Sequence, residues 1–423
     1  MKPSHAHAQG GTAALRVGFE ASDALNGHRA IGRYVRELPL ALLRTTPETS
    51  LDLRLLCFGR HATDRAAEYR ALLDEAGAAS LRAIPVPGKL FHLFWNRVSL
   101  PRVERFLGPL DVLHAPSFLT PPAHPRTRTI LTMHGIVNFV RPDLLPQNFV
   151  AELATLWDRY LRRADWLVSV SETARRDFLE RFDFPADRIR AIPLGVGPGF
   201  VPRPEEEVAR LLEARFGSRG VKRPYVLFVG GLQRVKNLAN LLHAFTILVE
   251  RHRLPHRLVL VGEMQDGAND IHAALRHPAL ADRIVTTGHV DGASEDLPLL
   301  YCGARLLAQP SLYEGWASPP LEAMASGTPV VASSISSLPE TCGDAALFAD
   351  PTDPDAWAEA MLRLIEDEGL HAALRQRGLA WSRRWTWDRC ARATWDLYRE
   401  AAQSGPRPSP RRVGSRLPPP LPF

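Results

Sequence analysis

Residues 313–327 read YEGWASPPLEAMASG, from Tyr313 to Gly327. Two carboxylates, Glu314 and Glu322, flank a Trp-bearing loop and the pair Pro319-Pro320. Apolar runs bracket the stretch, Leu306-Leu307 before it and Val330-Val331 after it. The pattern predicts strand, loop, short helix, loop, strand. Proline suits a first helical turn, where its missing N–H costs nothing. A helix start leaves backbone N–H groups without intrahelical partners at the positive end of the dipole, which makes a ready anion site. A loop carboxylate, an anion-ready turn and a second carboxylate in one short segment suit a ligand with both phosphate and hydroxyl groups. A plainer reading has Glu322 merely answering the helix dipole. The segment alone does not separate the two.

The alternation extends outward in both directions. Leu15–Ala21, Leu51–Phe58, Leu81–Val86, Asp111–Ala115, Thr129–Met133, Asp165–Val170 and Ile189–Leu194 are runs of strand length. Helices are predicted over about 34–43, 60–79 and 172–182, the last opened by Ser171 as its N-cap. After Gly195-Val196-Gly197-Pro198-Gly199 and a charged linker, the pattern restarts. Tyr225–Val229, Arg257–Val261, Arg283–Thr287, Ala304–Ala308, Pro329–Ala332 and Ala346–Ala349 read as strands. A helix follows Asn237, and others cover 354–366, 371–385 and 387–402. Apolar strands alternating with helices make a parallel, doubly wound α/β sheet. A chain of 423 residues has room for two such sheets. The division expected is a flexible N-terminus 1–14, a first domain 15–198, a second domain 199–385, a last helix 386–402 and a disordered tail 403–423. The tail is Pro-, Ser- and Arg-rich and cannot bury a core. Ligands of such sheets bind outside the carboxyl ends of the strands. Those ends carry Gly32, His114, His134, Ser171, Gly230, Lys236, Gly288 and Glu314.

Hydrophobic content of 45% and charged content of 23% are ordinary for a globular protein. The formal charge is +6, and Arg407, Arg411, Arg412 and Arg416 in the tail supply four of the six. That leaves the rest near neutral, which argues against a nucleic-acid partner. The four cysteines are scattered without metal or disulfide spacing, and a reducing cytoplasm fits them. The opening MKPSHAHAQGGTAA has no apolar run of the secretory kind, and no stretch is long and apolar enough to span a bilayer. Membrane contact is expected to be peripheral at most. The segment FHLFWNRVSLPRVERF, residues 91–106, is aromatic and basic, which suits an anionic membrane surface. The competing reading packs its aromatic side into the core and solvates its basic side.

The loop Gly230-Gly231-Leu232-Gln233-Arg234-Val235-Lys236-Asn237 joins a strand to a helix. Its glycines allow close backbone approach to a ligand. Lys236 at a helix start opposes the dipole unless an anion sits there. A bound pyrophosphate, neutralised by Arg234 or Lys236, removes that conflict; a solvent-pointing lysine is the alternative. The pattern GxxxxGK[ST] is missing, so P-loop hydrolysis is not indicated. A nicotinamide dehydrogenase is likewise disfavoured, for want of GxGxxG. His134 ends an apolar strand and is followed by glycine, which suits a hydrogen bond to a sugar or phosphate oxygen; a satisfied loop histidine is the competing reading. Asp353-Pro354-Asp355 resembles a metal-binding DxD in outline, but it precedes a helix and reads as capping. No metal is expected.

These residues together resemble the retaining, nucleotide-sugar-dependent glycosyltransferases of family four, the group 1 glycosyl transferases. The most specific match is Glu314 and Glu322, spaced as in the family's E-x₇-E signature. Also similar are AIGRYVREL, ILTMHG, VSVSETARRDF, IPLGV, VGGLQRVKNL and SSLPETCGDAALFADP. The resemblance runs to about residue 402. It implies the GT-B fold, with two facing doubly wound Rossmann-like domains and an interdomain cleft. The first domain would take the acceptor and the second the nucleotide sugar, and the last helix would cross back onto the first. Glu322 would hold the ribose hydroxyls. Glu314 and the loop Gly315, Trp316, Ala317 and Ser318 would hold the donor sugar, with N–H groups near Ser318 on the pyrophosphate. Lys236 would neutralise the leaving group, Gly230, Gly231 and Arg234 would border it, and Val290 would meet the base. Gly32 and His134 would reach in from the first domain. Lys236, Glu314 and His134 form the expected catalytic set.

The chain departs from the family pattern at four places. Gly231 stands where arginine is frequent, Val235 precedes the lysine, Ala317 replaces a glycine, and Gly135 replaces the aspartate of a frequent His-Asp pair. The ILTMHG and GGLQRVKN variants resemble bacterial mannosyl- and related hexosyltransferases of surface polysaccharide assembly. The function implied is hexosyl transfer, mannose ahead of others, from a GDP- or UDP-sugar to a glycan or lipid-linked acceptor. The rival is a non-catalytic subunit of the same fold that scaffolds a glycan-assembly complex.

Overall fold

The computed structural model describes residues 13–25, 30–59, 62–117, 120–264, 269–291 and 294–405. Residues 1–12, Gly27 and residues 406–423 of the expected tail lie outside them. Seven parallel strands form the first sheet: β1 (Leu15–Glu20), β2 (Leu51–Phe58), β3 (Ala79–Ile84), β4 (Val112–Ala115), β5 (Arg128–Met133), β6 (Trp166–Ser169) and β7 (Ile189–Ala191). Six form the second: β8 (Tyr225–Val229), β9 (Arg257–Val261), β10 (Ile284–Gly288), β11 (Leu306–Gln309), β12 (Val330–Ser333) and β13 (Leu347–Ala349). Their orders are β3-β2-β1-β4-β5-β6-β7 and β10-β9-β8-β11-β12-β13. In each sheet the order reverses beside the first strand, between β1 and β4 and between β8 and β11. A crevice for ligands opens at such a reversal, because the connections leave to opposite sides.

Both faces of each sheet are buried, which is why the strands read as continuous apolar runs. In β8, Tyr225, Leu227 and Val229 point into one core and Val226 and Phe228 into the other. Several predicted boundaries shift for local reasons. The third strand ends at Ile84, before Pro85, which has no N–H for the ladder. The seventh ends at Ala191, two residues short of Pro193. Between Met133 and Asp165 the sequence reading assigned nothing, yet a 17-residue helix, Gln147–Arg163, packs there. The helix Asp296–Gly303 was also missed.

The last helix, Trp387–Gln403, runs one residue beyond the expected end and lies along helix Ala30–Thr45 of the first sheet's layer. The Tyr398 hydroxyl and His114 Nδ1 meet at 2.6 Å, while His114 Nε2 meets the Thr132 hydroxyl at 2.7 Å. The segment 91–106 divides. Helix Gly88–Arg97 buries Trp95, but Leu90, Leu93, Phe94, Val98 and Leu100 are each about half exposed. Packing into the core accounts for Trp95, Val103 and Phe106, and not for the exposed apolar side chains.

Candidate functional site

The loop after β8 turns sharply. Gly230 has φ of 156°, and its N–H donates to the Val261 carbonyl at 2.9 Å. A single 3-10 turn, Arg234–Lys236, follows, and Asn237 then enters helix Leu238–Glu250 in the left-handed region with φ of 55°. The Asn237 amide donates to the carbonyls of Pro310 (3.1 Å) and Pro351 (2.6 Å), tying this loop to the ends of β11 and β13. Lys236 therefore sits in the turn before the helix, and its partner is a carboxylate. Nζ donates to Glu314 Oε1 at 2.6 Å, and both side chains are largely buried. The pair resolves the dipole conflict that the sequence posed. Ser311 Oγ (2.7 Å) and Gln309 Nε2 (3.3 Å) donate to the same oxygen. Among the described residues no donor reaches Oε2.

Helix Ser318–Ala325 begins where expected, with Pro319 and Pro320 in its first turn. Neither proline has an N–H, and the Leu321 N–H is the first to bond within the helix, so of residues 318–321 only Ser318 keeps a backbone N–H outside the helical ladder. Glu322, on the same helix, is 4% exposed. Its Oε2 accepts from the Tyr301 hydroxyl at 2.9 Å, and its Oε1 accepts from Arg33 Nη1 across the cleft.

These groups open on a cleft of about 540 Å³. Gly32 and Arg33 line it from the first sheet's side. Gly230, Gly231, Lys236, Val290, Glu314, Trp316, Ser318 and Glu322 line it from the second, and Trp387 closes it from the crossing helix. Asp23, His289 and Glu263 also border it. Of the residues singled out in the sequence, His134, Arg234, Gly315 and Ala317 lie outside this lining. Arg234 is exposed and donates to the Asp143 carbonyl at 3.4 Å. His134 Nε2 meets the Pro116 carbonyl at 2.7 Å, and its ring stands edge-on to Tyr34. Burial pulls its pKa down to about 4, so the ring is neutral near pH 7 and Nε2 donates to that carbonyl.

The departures at Gly135 and Ala317 have structural reasons. Gly135 adopts φ of 122°, and a Cβ there would lie 3.1 Å from Gly315 Cα and 3.3 Å from the Tyr313 ring. A Cβ on Gly315 would stand 1.9 Å from the His134 carbonyl oxygen. The two halves thus touch backbone to backbone at this point, with no room for a carboxylate side chain at 135. Ala317 has φ of −97°, which any L-residue adopts, and its methyl is fully buried in the core. It adds no group to the cleft wall.

Two further contacts cross between the halves. Ser171 caps helix Glu172–Arg181 through Ala174 N at 3.0 Å, as expected, and also donates to the Gly315 carbonyl at 2.6 Å. Glu340, from the second half, accepts from the N–H groups of Glu172 (2.7 Å) and Thr173 (2.8 Å). A carboxylate at a helix N-terminus is stabilising there. Asp353 accepts from Ala356 N at 3.0 Å, the capping role that the sequence suggested. The sequence reading missed Arg33, Tyr301, Glu340 and Trp387. Arg33 adjoins Gly32 in AIGRYVREL and Glu340 lies in SSLPETCG, so both had a signal; Tyr301 had none.

Two family profiles match the chain: Glycosyltransferase Family 4 over residues 33–199 and Glycosyl transferases group 1 over residues 223–367. An O-antigen chain mannosyltransferase B of Escherichia coli is 32% identical over 289 residues, which cover 68% of this chain and 74% of that protein. A D-inositol 3-phosphate glycosyltransferase of Xylanimonas cellulosilytica is 29% identical, covering 88% of this chain and 92% of its own length. The serotype-specific mannosyltransferase WbdA of Escherichia coli is 26% identical, but the match spans only 29% of its length. Among solved structures, sucrose-phosphate synthase from Thermosynechococcus elongatus superposes with a TM-score of 0.65 at 20% identity, covering 91% of this chain and 98% of that one. Anabaena HepE in complex with UDP-glucose has a TM-score of 0.65 at 17% identity, covering 91% of this chain and 100% of that one. At these identities the structural likeness establishes the GT-B fold alone.

Proposed function

The chain belongs to the family 4, group 1 glycosyltransferases, and from that premise we propose that it transfers a hexosyl group, mannose foremost, from a nucleotide diphosphate sugar with retention of configuration. The acceptor in this reading is a growing glycan or lipid-linked saccharide of a surface polysaccharide. The observation that carries the reading is the convergence of Lys236, Glu314, Glu322 and the Ser318 N–H in one cleft at the reversals of both sheets. The O-antigen mannosyltransferase among its relatives supports the choice of sugar and pathway.

Glu322 takes the ribose hydroxyls. The open oxygen of Glu314 takes a donor-sugar hydroxyl, and Val290 packs on the base. Lys236 and the helix start at Ser318 face the diphosphate. In the transfer step the bond from the sugar's anomeric carbon to the phosphate oxygen breaks. The acceptor oxygen bonds to that carbon on the same face, and the departing phosphate oxygen takes the acceptor's proton. Glu314 is given no nucleophilic role in this reading: Lys236, Ser311 and Gln309 engage its Oε1, and its other oxygen is on the donor-sugar hydroxyl. Stabilisation is electrostatic, from groups already in place as charge grows on the leaving diphosphate. His134 is a positioning residue: its neutral ring and its carbonyl, packed on Gly315, set the distance between the halves. A metal is not needed in this scheme.

The departures at Gly231, Ala317 and Gly135 speak for a non-catalytic role; packing accounts for Gly135 and Ala317, and the retention of Lys236, Glu314 and Glu322 in the cleft speaks for catalysis. The test is a thermal-shift screen of GDP- and UDP-sugars, then product analysis with the best donor. GDP-mannose should raise the melting temperature of the wild type and not of Glu322→Ala. Absence of a shift with every nucleotide sugar would sink the reading.

Membrane contact belongs to the same proposal. Leu93 (47%), Phe94 (54%), Val98 (58%) and Leu100 (54%) are exposed beside Arg97, Arg102 and Arg105, which are exposed too. An apolar face edged by arginines suits an anionic bilayer that presents a lipid-linked acceptor. The chain should sediment with phosphatidylglycerol vesicles and leave them at high salt. Binding unchanged in Phe94→Asp/Leu100→Asp would exclude this surface.

A further inference from the structure

Arg33 is the cleft's unassigned cation. It stands in the first turn of helix Ala30–Thr45, next to Gly32. Its Nη1 donates to Glu322 Oε1, with 17% of the arginine side chain and 5% of the glutamate side chain exposed. The Phe200 ring lies 5.4 Å from its guanidinium carbon. Its Nε is buried and has no hydrogen-bond partner among the described residues. Glu322 is also engaged by Tyr301 on its other oxygen. The carboxylate assigned above to the ribose is therefore already held, and the cation holding it keeps its buried Nε–H unpaired.

Asp23 and Glu263 border the cleft as further carboxylates, and two ion pairs stand in its wall: Lys236 with Glu314 and Arg33 with Glu322. Both are internally neutral. A ligand that brings only hydroxyls must strip Arg33 from Glu322 and leave a guanidinium without its anion, which is costly in a desolvated site. A ligand that brings hydroxyls and a diphosphate exchanges partners instead. The ribose takes Glu322, and the diphosphate takes the cation. Guanidinium and phosphate match as a planar, two-pronged pair, and the idle Nε–H completes the fork. Phe200 offers a face along which the guanidinium can swing.

We propose that Arg33 is a specificity-determining residue that exchanges partners on donor binding, from Glu322 in the empty cleft to the donor's diphosphate in the complex. It makes ribose recognition conditional on phosphate, so that nucleosides are rejected and nucleoside diphosphates accepted. The proposal rests on the nucleotide-sugar reading above. Since Arg33 and Glu322 lie 289 residues apart, on opposite sides of the cleft, the exchange also unfastens one strap between the halves as the donor enters.

The test is calorimetric titration of the full chain with guanosine, GMP and GDP, repeated with the uridine series. The variants are Arg33→Met and Arg33→Lys, each checked for an unchanged circular dichroism spectrum. In the wild type the affinity should rise steeply from nucleoside to diphosphate. In Arg33→Met the diphosphate should lose about 10- to 100-fold, while the nucleoside gains affinity, because Glu322 is already free. Arg33→Lys should recover part of the diphosphate affinity. The opposed signs separate this from a structural role: if Arg33→Met weakens nucleoside and diphosphate alike, or changes neither, the proposal is overturned. If the wild type binds no nucleotide in either series, the nucleotide-sugar reading itself fails.

Discussion

Lys236 shows how little of a residue's role its own position reveals. A lysine opening a helix reads as either a solvated side chain or an anion ligand. In the fold it is a buried cation 2.6 Å from Glu314. Such a pair is costly to break from one side, because the remaining charge stays desolvated. Lys236→Met should therefore leave Glu314 without its cation and the leaving diphosphate without a counter-charge. The expected outcome is a fall in kcat of about 100- to 1,000-fold, with a smaller change in KM. Equal kcat in the variant and the wild type would exclude Lys236 from the transfer step. Glycines carry a different message at this scale. Gly315 and Gly135 are where the backbones of the two halves meet, and a Cβ on Gly315 would fall 1.9 Å from the His134 carbonyl oxygen. Their role is room, which no side-chain chemistry in the sequence could announce.

At the scale of elements, helix Glu172–Arg181 has two caps from two sources. Ser171 supplies the expected local one, and Glu340 supplies a carboxylate from the other half of the chain. Glu340 also accepts from the Thr173 hydroxyl at 2.7 Å. Glu340→Gln keeps the shape and removes the charge, so it should cost about 1 kcal/mol of stability and raise the donor KM by loosening the closed arrangement. Ser171→Ala should cost about 1 kcal/mol through the cap alone. If Glu340→Gln lowers the melting temperature but leaves KM untouched, the contact is a cap and not a latch. Helix Ser318–Ala325 shows a similar economy. Its two prolines set the first turn and also remove two N–H groups, so the surviving donor of Ser318 has a defined place beside the cleft.

On the scale of the whole molecule, the crossing helix Trp387–Gln403 binds the chain's end to its beginning. Tyr398, His114, Thr132 and Tyr34 form a chain of hydrogen bonds beneath the cleft, with Tyr34 and Thr132 3.0 Å apart. Burial holds His114 at about 3 and His256 at about 4, like His134, all below the usual 6.5. These rings are neutral in the native state, whereas the unfolded chain takes up protons below pH 6.5. Their contribution to stability is present above that pH and is lost as the pH falls towards 4, on the order of 1 kcal/mol per pH unit for each ring. Glu20 pulls the other way. Burial, with Asp23 nearby, raises it from 4.5 to about 7, so it favours the native state at low pH and loses that contribution as the pH rises through 7. The three strongly lowered rings outweigh Glu20, the carboxyl raised furthest, and lesser shifts of His371 downward and of Glu37 and Asp177 upward oppose each other, so the melting temperature should fall between pH 6.5 and 5. His114→Gln should make that fall shallower. A flat profile over this range would show that the buried histidines do not govern acid stability.

Much of this architecture was legible from local pattern. Apolar runs of four to eight residues between helical stretches define a doubly wound sheet, because both faces of the central strands are covered. The eight-residue step from Glu314 to Glu322, with Lys236 behind two glycines, was enough to find the second half's wall of the site. Helix Gln147–Arg163 escaped because its tertiary setting, under Phe139 and Phe178, supplies its burial. Glu340 and Arg33 escaped as partners because they act across 168 and 289 residues of chain. The succession of strands and helices, their apolar character and the residues of one wall of the cleft thus follow from the sequence by itself, since each depends on neighbours within one element or loop; the order of the strands came only with the fold. Which cation guards Glu322, which carboxylate caps a helix of the other half, and why residue 135 must be glycine were decided only by the tertiary structure, where backbone and charge from distant segments share the same few ångströms.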